Sequence, residues 1–448
     1  MKMVSDRQPE SWSDLLPKHW KADRLGKFAD IIVSNVDKKT EDDEEAVLLC
    51  NYVDVYKNDR ITSGIPFMEA TATPHEIAKF TLLRDDVITT KDSESPLDIA
   101  IPSLVVEDIE GLVCGYHLAI LRADRRNLFG PFLSWLHVSQ TIRSHYEMHA
   151  CGITRWAVGR KHFKTCPVPL PPLAEQKRIA AYLDASCAAI DRAVETKRKQ
   201  LETLDALRKS IIQKAVTQGL NPKVKMKESG VEWLGPIPAH WKIEKLKRCG
   251  RLKGGAGFPY DEQGVTDAEI PFYKVKHLQA PRYLTDCDNF VTVETARRLG
   301  AEIMPPDTIV FAKVGAALLL NRFRILTRPC CIDNNMTALI IERSEYRMPY
   351  FFHVLNLLDL GEFANQGPVP SINGAQVGAI RVPVSPANEQ EAIVEFVEHK
   401  ASLFQSLSSS IQSQITTLTA YRKSLIHECV TGKRRISDAD VAKVEAHV

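Results

Sequence analysis

Residues 172–179 read "PLAEQKRI" and residues 386–393 read "PANEQEAI": a proline, then Glu-Gln, then an apolar residue, written twice at an offset of 214. The offset holds without a gap through about forty further residues, and the two stretches close alike. Leu204, Arg208, Lys209, Ser210, Ile212, Val216 and Thr217 match Leu418, Arg422, Lys423, Ser424, Ile426, Val430 and Thr431. Register kept over that length marks an internal duplication, which governs every later reading of the fold.

Both stretches predict long helices. No glycine or proline interrupts Leu173–Gln218 or Ala387–Thr431, although both flank them. Pro172 and Pro386 suit a helix start, and Glu175 and Glu389 fall where a carboxylate complements the helix dipole. Apolar residues recur at heptad spacing, with Leu183, Ile190, Leu204 and Ile211 in one position and Cys187, Val194 and Leu201 in the other. The second copy sets Val397, Phe404, Ile411, Leu418 and Leu425 against Ala401 and Ile415; Lys197, Ser408, Arg208 and Arg422 break the pattern. A stripe this narrow is the seam of a coiled coil, and its matched length predicts two helices of roughly 60 Å packed antiparallel as a spacer.

A second repeat precedes the helices. In "SWSDLLPKHWKADRL" (11–25) and "EWLGPIPAHWKIEKL" (232–246), Trp12, Pro17, His19, Trp20, Lys21 and Leu25 match Trp233, Pro238, His240, Trp241, Lys242 and Leu246 at an offset of 221. Between each such opening and its helix lie about 140 residues with no visible repeat. They carry short Val-, Ile- and Thr-rich runs bounded by Gly, Pro and Asp, such as "RDDVITT" (84–90), "LVCGYHLAILRA" (112–123), "PDTIVFAK" (306–313) and "MTALIIER" (336–343), with helical stretches at 131–148 and 350–363. The expected fold class is α+β: two mixed globular domains joined by two long antiparallel coiled-coil helices in an internal pseudo-two-fold repeat. The boundaries are 1–166, 167–220, 221–380 and 381–435, with a tail at 436–448.

The remaining features exclude more than they assign. A chain of 448 residues, 44% apolar and 25% charged, is long enough for several soluble domains. The longest apolar run, Val314 to Leu320 broken by Gly315, is too short for a membrane span, and nothing in the first residues reads as a secretory leader. Ten scattered cysteines without a C-x-x-C predict a reducing cytoplasm rather than a disulfide framework. The net charge of +2 announces no nucleic-acid surface by itself, so any such contact must come from local patches.

"HYEMH" (145–149) misplaces the glutamate of the zinc-protease pattern, "KGGAGF" (253–258) lacks the residues of a phosphate loop and reads as a flexible turn, and neither "LPPL" (170–173) nor "MPPD" (304–307) completes an amino-methyltransferase motif. No metal site and no catalytic constellation is expected.

The Pro-x-x-Glu-Gln openings, the Arg-Lys-Ser endings "LRKSIIQKAVTQG" and "YRKSLIHECVTG", and "GVEWLGPIPAHW" together resemble the specificity subunits of type I restriction-modification systems over nearly the whole chain. Gly432, one residue earlier in register than Gly219, and the Ser-rich "SLSSSIQSQ" depart from the pattern. The resemblance implies two target-recognition domains, each reading half of a split double-stranded DNA target. It also implies helices that space the domains and dock two methyltransferase subunits and the restriction subunits. S-adenosylmethionine, ATP and Mg2+ then belong to those partners, and this chain holds no cofactor and performs no catalysis.

Base reading calls for Arg, Lys, Asn or Gln, and phosphate contact for further basic side chains. The candidates are Lys57, Arg60, Arg84, Lys91 and Lys161 in the first domain and Tyr273, Lys274, Lys276, Lys313, Arg322 and Arg324 in the second. For the helices and their partners they are Glu175, Gln176, Leu183, Ile190, Leu204 and Arg208, with Glu389, Gln390, Val397, Ile411, Leu418 and Arg422. Two other readings fit the same layout: the recognition subunit of a type IIB-like bipartite system, and a coiled-coil scaffold that does not touch DNA.

Overall fold

The structure is a computed structural model that describes residues 16–365 and 367–446, so Trp12 lies outside the described residues. The long helices form as the sequence predicts, over Leu173–Gln218 and Ala387–Val430. The chain divides into two compact units, 1–199 with 412–448 and 200–411, so each unit holds one end of each long helix.

In the first unit a five-stranded sheet has the spatial order Ala29–Val33, Leu118–Ala123, Val87–Thr90, Pro102–Val105, Arg60–Ile61. Only its last pairing is parallel. In the second unit the order is Arg251–Gly254, Met336–Ile340, Ile309–Ala312, Arg324–Leu326, Tyr283–Leu284, again parallel only at the last pair. Numbered by chain order within each sheet, both run 1-5-3-4-2. The duplication therefore extends through the regions whose sequences show no repeat.

Local geometry repeats too. Asp85 and Asp307, both with positive φ (75° and 59°), turn the chain into the third strand, and their N–H groups donate to Val105 and Leu326. Lys91 and Lys313 follow that strand in each unit.

Two details differ from expectation. The 131–148 stretch is two helices, Gly130–Val138 and Gln140–His149, divided at Ser139. "KGGAGF" is no loose turn: a Cβ on Gly255 would sit 2.0 Å from the Asp333 carbonyl oxygen, and Phe258 stacks on Phe272 at 4.0 Å. Glycine is there because two backbones touch.

Each unit places the ends of the long helices against its own core. In the first, Arg434 lies over Tyr182 and Arg422 pairs with Asp191 at 2.9 Å, so the partner numbers fall as the first helix advances: the ends run antiparallel. In the second, Ala215 and Val216 share a core with Ile393 and Val397. The heptad stripe is the covered face throughout: Leu183, Cys187, Ile190, Val194, Val397, Phe404, Ile415 and Leu425 are buried, while Leu204, Ile411 and Leu418 are partly so. Lys197 and Ser408 keep their seam positions and are partly covered, whereas Arg208 is exposed.

Candidate nucleic-acid interface

The repeated motifs fold into a joint that ties each globular domain to a helix start. Gln176 is fully buried. Its side-chain oxygen accepts from the N–H of Phe129, the residue that caps Gly130–Val138, at 2.8 Å, and its amide donates to Asn127 and Pro171 carbonyls at 3.0 and 2.9 Å. Gln390 does the same in the second unit, accepting from Arg347, the cap of Met348–Leu355, at 2.8 Å and donating to Glu345 and Ser385. A buried amide leaves no capacity for an outside partner, so the two glutamines act within the chain.

The neighbouring glutamates hold the histidines of the His-Trp pairs, and in the second unit the tryptophan as well. Glu175 meets His19 at 3.1 Å; Glu389 meets His240 at 2.7 Å and Trp241 Nε1 at 2.9 Å. The far ends of the helices complete the same joints. Gly219, ending the first helix at φ 76°, leaves 3.2 Å between its absent Cβ and Trp241, and Gly432, ending the second at φ 72°, would meet Pro17 at 2.5 Å and Trp20 at 3.2 Å. The one-residue shift of Gly432 is absorbed by a tighter turn: its N–H donates three residues back to Cys429, whereas Gly219 donates four back to Ala215.

About two and a half turns further along each helix sits a second carboxylate. Asp184 accepts from Arg60 at 2.7 Å and Trp135 at 2.9 Å, and Glu398, its counterpart, accepts from Arg282 and His353, both at 2.8 Å. Arg60 and Arg282 thus fasten domain to helix.

Several basic candidates are engaged in their own domains. The Lys91 ammonium donates to the Ser34 carbonyl at 3.0 Å, and burial lowers its pKa. Lys274 donates to Gln263 at 2.6 Å, and Lys276 pairs with Asp288. Arg324 donates to the Ala280 and Phe323 carbonyls, its pKa lowered by burial and by Arg322. Tyr273 is fully buried with its hydroxyl on the Leu284 carbonyl, so it packs and cannot stack on a base. Lys313 and Arg322 are half-buried, while Lys57, Arg84 and Lys161 are exposed.

Sequence reading missed a polar cluster of the first domain. The short hairpin Cys151–Gly152 with Trp156–Ala157 adds to Asp92–Ser93 as a three-stranded sheet. Arg155 on that hairpin donates to Asp92 at 2.7 Å; His117 also meets Asp92, at 2.7 Å. Tyr116 lies against His117 at 3.6 Å, and Tyr52 stacks on Tyr56 at 5.5 Å. The missed signal was an arginine three residues past a glycine at a hairpin turn.

Metal ligation finds little support. His145 Nε2 donates to the His162 carbonyl at 3.0 Å. Among the described residues, His277, Cys287 and Asp288 bring ligand atoms within 4.8 Å of one another. Asp288 is already paired with Lys276, and Cys287, its pKa raised by burial, donates to the Asn289 carbonyl at 2.9 Å. No helix among the described residues is long and apolar enough to cross a membrane.

No protein-family model matches the chain. Two specificity subunits of type I restriction enzymes from Methanocaldococcus jannaschii are similar to it. MjaVIII is 20% identical over 94% of this chain and 95% of its own length, and MjaIX is 23% identical over 68% and 69%. A solved chain from a study of the complex assembly and conformational transition of the type I R-M system superposes with a TM-score of 0.73 at 17% identity, covering 93% of this chain and 98% of its own. The HsdS subunit from Thermoanaerobacter tengcongensis gives 0.58 at 17% identity, covering 94% and 98%. Over nearly its whole length the chain is thus similar in sequence to specificity subunits of type I restriction enzymes, and it shares the fold of these solved chains.

Proposed function

We infer that this chain is the DNA-specificity subunit of a type I restriction-modification complex, reading a bipartite target through its two globular domains, 1–166 and 221–380. The observation that carries the reading is the pairing of one sheet order, 1-5-3-4-2, with two unrelated surfaces, each domain fastened to a long helix by the same glutamine, glutamate and carboxylate. Equal folds with different side chains suit two different half-sites. A stiff pair of helices, 167–220 with 381–435, suits a fixed spacing between them.

The helices also offer a surface to other subunits. Leu207, Leu403 and Leu407 stay 44–49% exposed on them. Isolated exposed leucines are ordinary, but Leu403 and Leu407 stand one turn apart on one face. Methyltransferase subunits, two per chain to match the duplication, would dock there, with restriction subunits joining the assembly.

In this reading the chain contributes address and scaffold and no catalysis. Methyl transfer from S-adenosylmethionine to adenine, and ATP- and Mg2+-dependent translocation and cleavage, belong to the partners. The test is methylome sequencing of cells with and without this gene beside its cognate methyltransferase. A split, asymmetric methyladenine motif that disappears with the gene is the expected result; an unchanged methylome would overturn it.

A further inference from the structure

The hairpin around Arg155 has the features of a base-reading element rather than of a packed corner. Every residue from Cys151 to Arg155 is exposed, and Ile153 near its tip is 95% exposed. Water gives a β-branched aliphatic side chain no reason to stand there, and Met148 beside it is 76% exposed. Arg155, in contrast, is held. Its Nε donates to Asp92 at 2.7 Å, and the Asp92 side chain is only 13% exposed while that of Arg155 is 49% exposed.

His117 Nδ1 lies 2.7 Å from the same carboxylate, which can only accept, so Nδ1 carries the proton and cannot take one from Arg155 at 3.1 Å. The carboxylate therefore holds the Nε–Nη2 edge of the guanidinium, 2.7 Å from each nitrogen, and leaves Nη1 and the outer N–H of Nη2 for a ligand. A guanidinium fixed along that edge presents Nη1 and the outer N–H of Nη2 to the O6 and N7 acceptors of guanine at little entropic cost.

The hairpin is fastened at its base. The Val158 N–H donates to the Lys91 carbonyl at 2.8 Å, just as the Ile372 N–H donates to the Lys313 carbonyl at 2.9 Å in the second unit, where Val369 is 60% exposed. Both domains thus raise an aliphatic residue beside the end of the third strand. A two-stranded ribbon fits the DNA major groove, where an aliphatic side chain has one apolar feature to meet, the thymine methyl.

We propose that the hairpin Cys151–Ala157 enters the major groove of the first half-site, with Arg155 reading a guanine and Ile153 contacting a thymine methyl. Asp92 and His117 position the arginine. The proposal rests on the specificity-subunit reading.

The test uses the full chain with its cognate methyltransferase on a library of duplexes in which every target position is varied. Wild type is compared with Arg155→Ala, Arg155→Lys and Ile153→Ala. Both Arg155 variants are expected to lose the preference for guanine at one position of one half-site, by about tenfold or more, with the other half-site unchanged. Ile153→Ala is expected to relax a thymine in the same half. Because Arg155→Lys keeps the charge, it separates base reading from phosphate attraction.

Unchanged preferences in both Arg155 variants, or a uniform fall across all sequences in Arg155→Ala that Arg155→Lys restores, would overturn the assignment and leave the function standing. A wild-type complex with no bipartite preference would instead remove the function itself.

Discussion

The indole N–H of Trp241 donates to Glu389 at 2.9 Å, whereas the indole N–H of Trp20, in the equivalent joint, is buried with no hydrogen-bond partner among the described residues. The two joints are thus alike in shape and unequal in satisfaction. A hydrogen bond to a carboxylate outweighs a neutral one, and an unmet buried donor costs free energy. Trp241→Phe should destabilise the second unit by about 1–2 kcal/mol, and Trp20→Phe should change the first by less than about 1 kcal/mol. Chemical denaturation followed by hydrogen exchange in each unit would read the difference; equal losses would contradict it.

The glutamine clamps should behave as a matched pair. Gln176→Ala strands the Phe129 N–H and two carbonyls, and Gln390→Ala strands the Arg347 N–H and two carbonyls. Each should cost about 2–4 kcal/mol, confined to its own unit. Exchange protection of Gly130–Val138 should fall in the first variant and of Met348–Leu355 in the second. Protection lost in both helices from either substitution would show the clamps are not local.

The same residues explain what the sequence could reveal. A buried amide with three partners tolerates no other side chain, so the Glu-Gln opening is written identically twice. The positive φ of Gly219 and Gly432, against Trp241 and Trp20, restricts those positions in the same way. Helix register was legible because one stripe is covered along the whole length. The recognition domains were less so. Their sheet cores accept any apolar residue of suitable volume, and only the aspartates at positive φ, the following Lys91 and Lys313, and Arg60 with Arg282 betray the repeat. Basic surface candidates were the poorest guide. Composition cannot tell Arg60, spent on Asp184, from Arg155, held by Asp92 along one edge of its guanidinium and half-exposed.

Acid should act on the two units at different pH. In the first, buried His137 donates its Nδ1–H to the Leu133 carbonyl and accepts at Nε2 from the Tyr146 hydroxyl, and burial depresses its pKa from 6.5 to about 4. A folded-state value below the ordinary one means that stability is complete above pH 6.5 and is lost as pH falls toward 4, by about 3 kcal/mol at the limit. In the second unit, His353 and then Arg282 hold Glu398 at about 2 against an ordinary 4.5. Its contribution is present above that ordinary value and is lost between about pH 5 and 2. Exchange protection across a pH series should therefore fall first in the first unit, and Glu398→Gln should flatten only the lower limb.

Leu403 and Leu407 offer the last discrimination, between a helix surface that serves a partner and one that is merely tolerated. Both are 44–45% exposed, so a polar replacement removes little buried area and should leave the chain's own unfolding within about 0.5 kcal/mol of wild type. If the methyltransferase docks on that face, Leu403→Glu with Leu407→Glu places two charges inside a desolvated interface. Affinity should then fall at least tenfold, because an unpaired buried charge costs more than the leucine contact it replaces. Titration of the purified chain with its cognate methyltransferase reads this directly. Unchanged affinity in a normally folded variant would move the docking surface elsewhere on the helices, whereas a matching loss of stability would show that the leucines belong to the spacer seam.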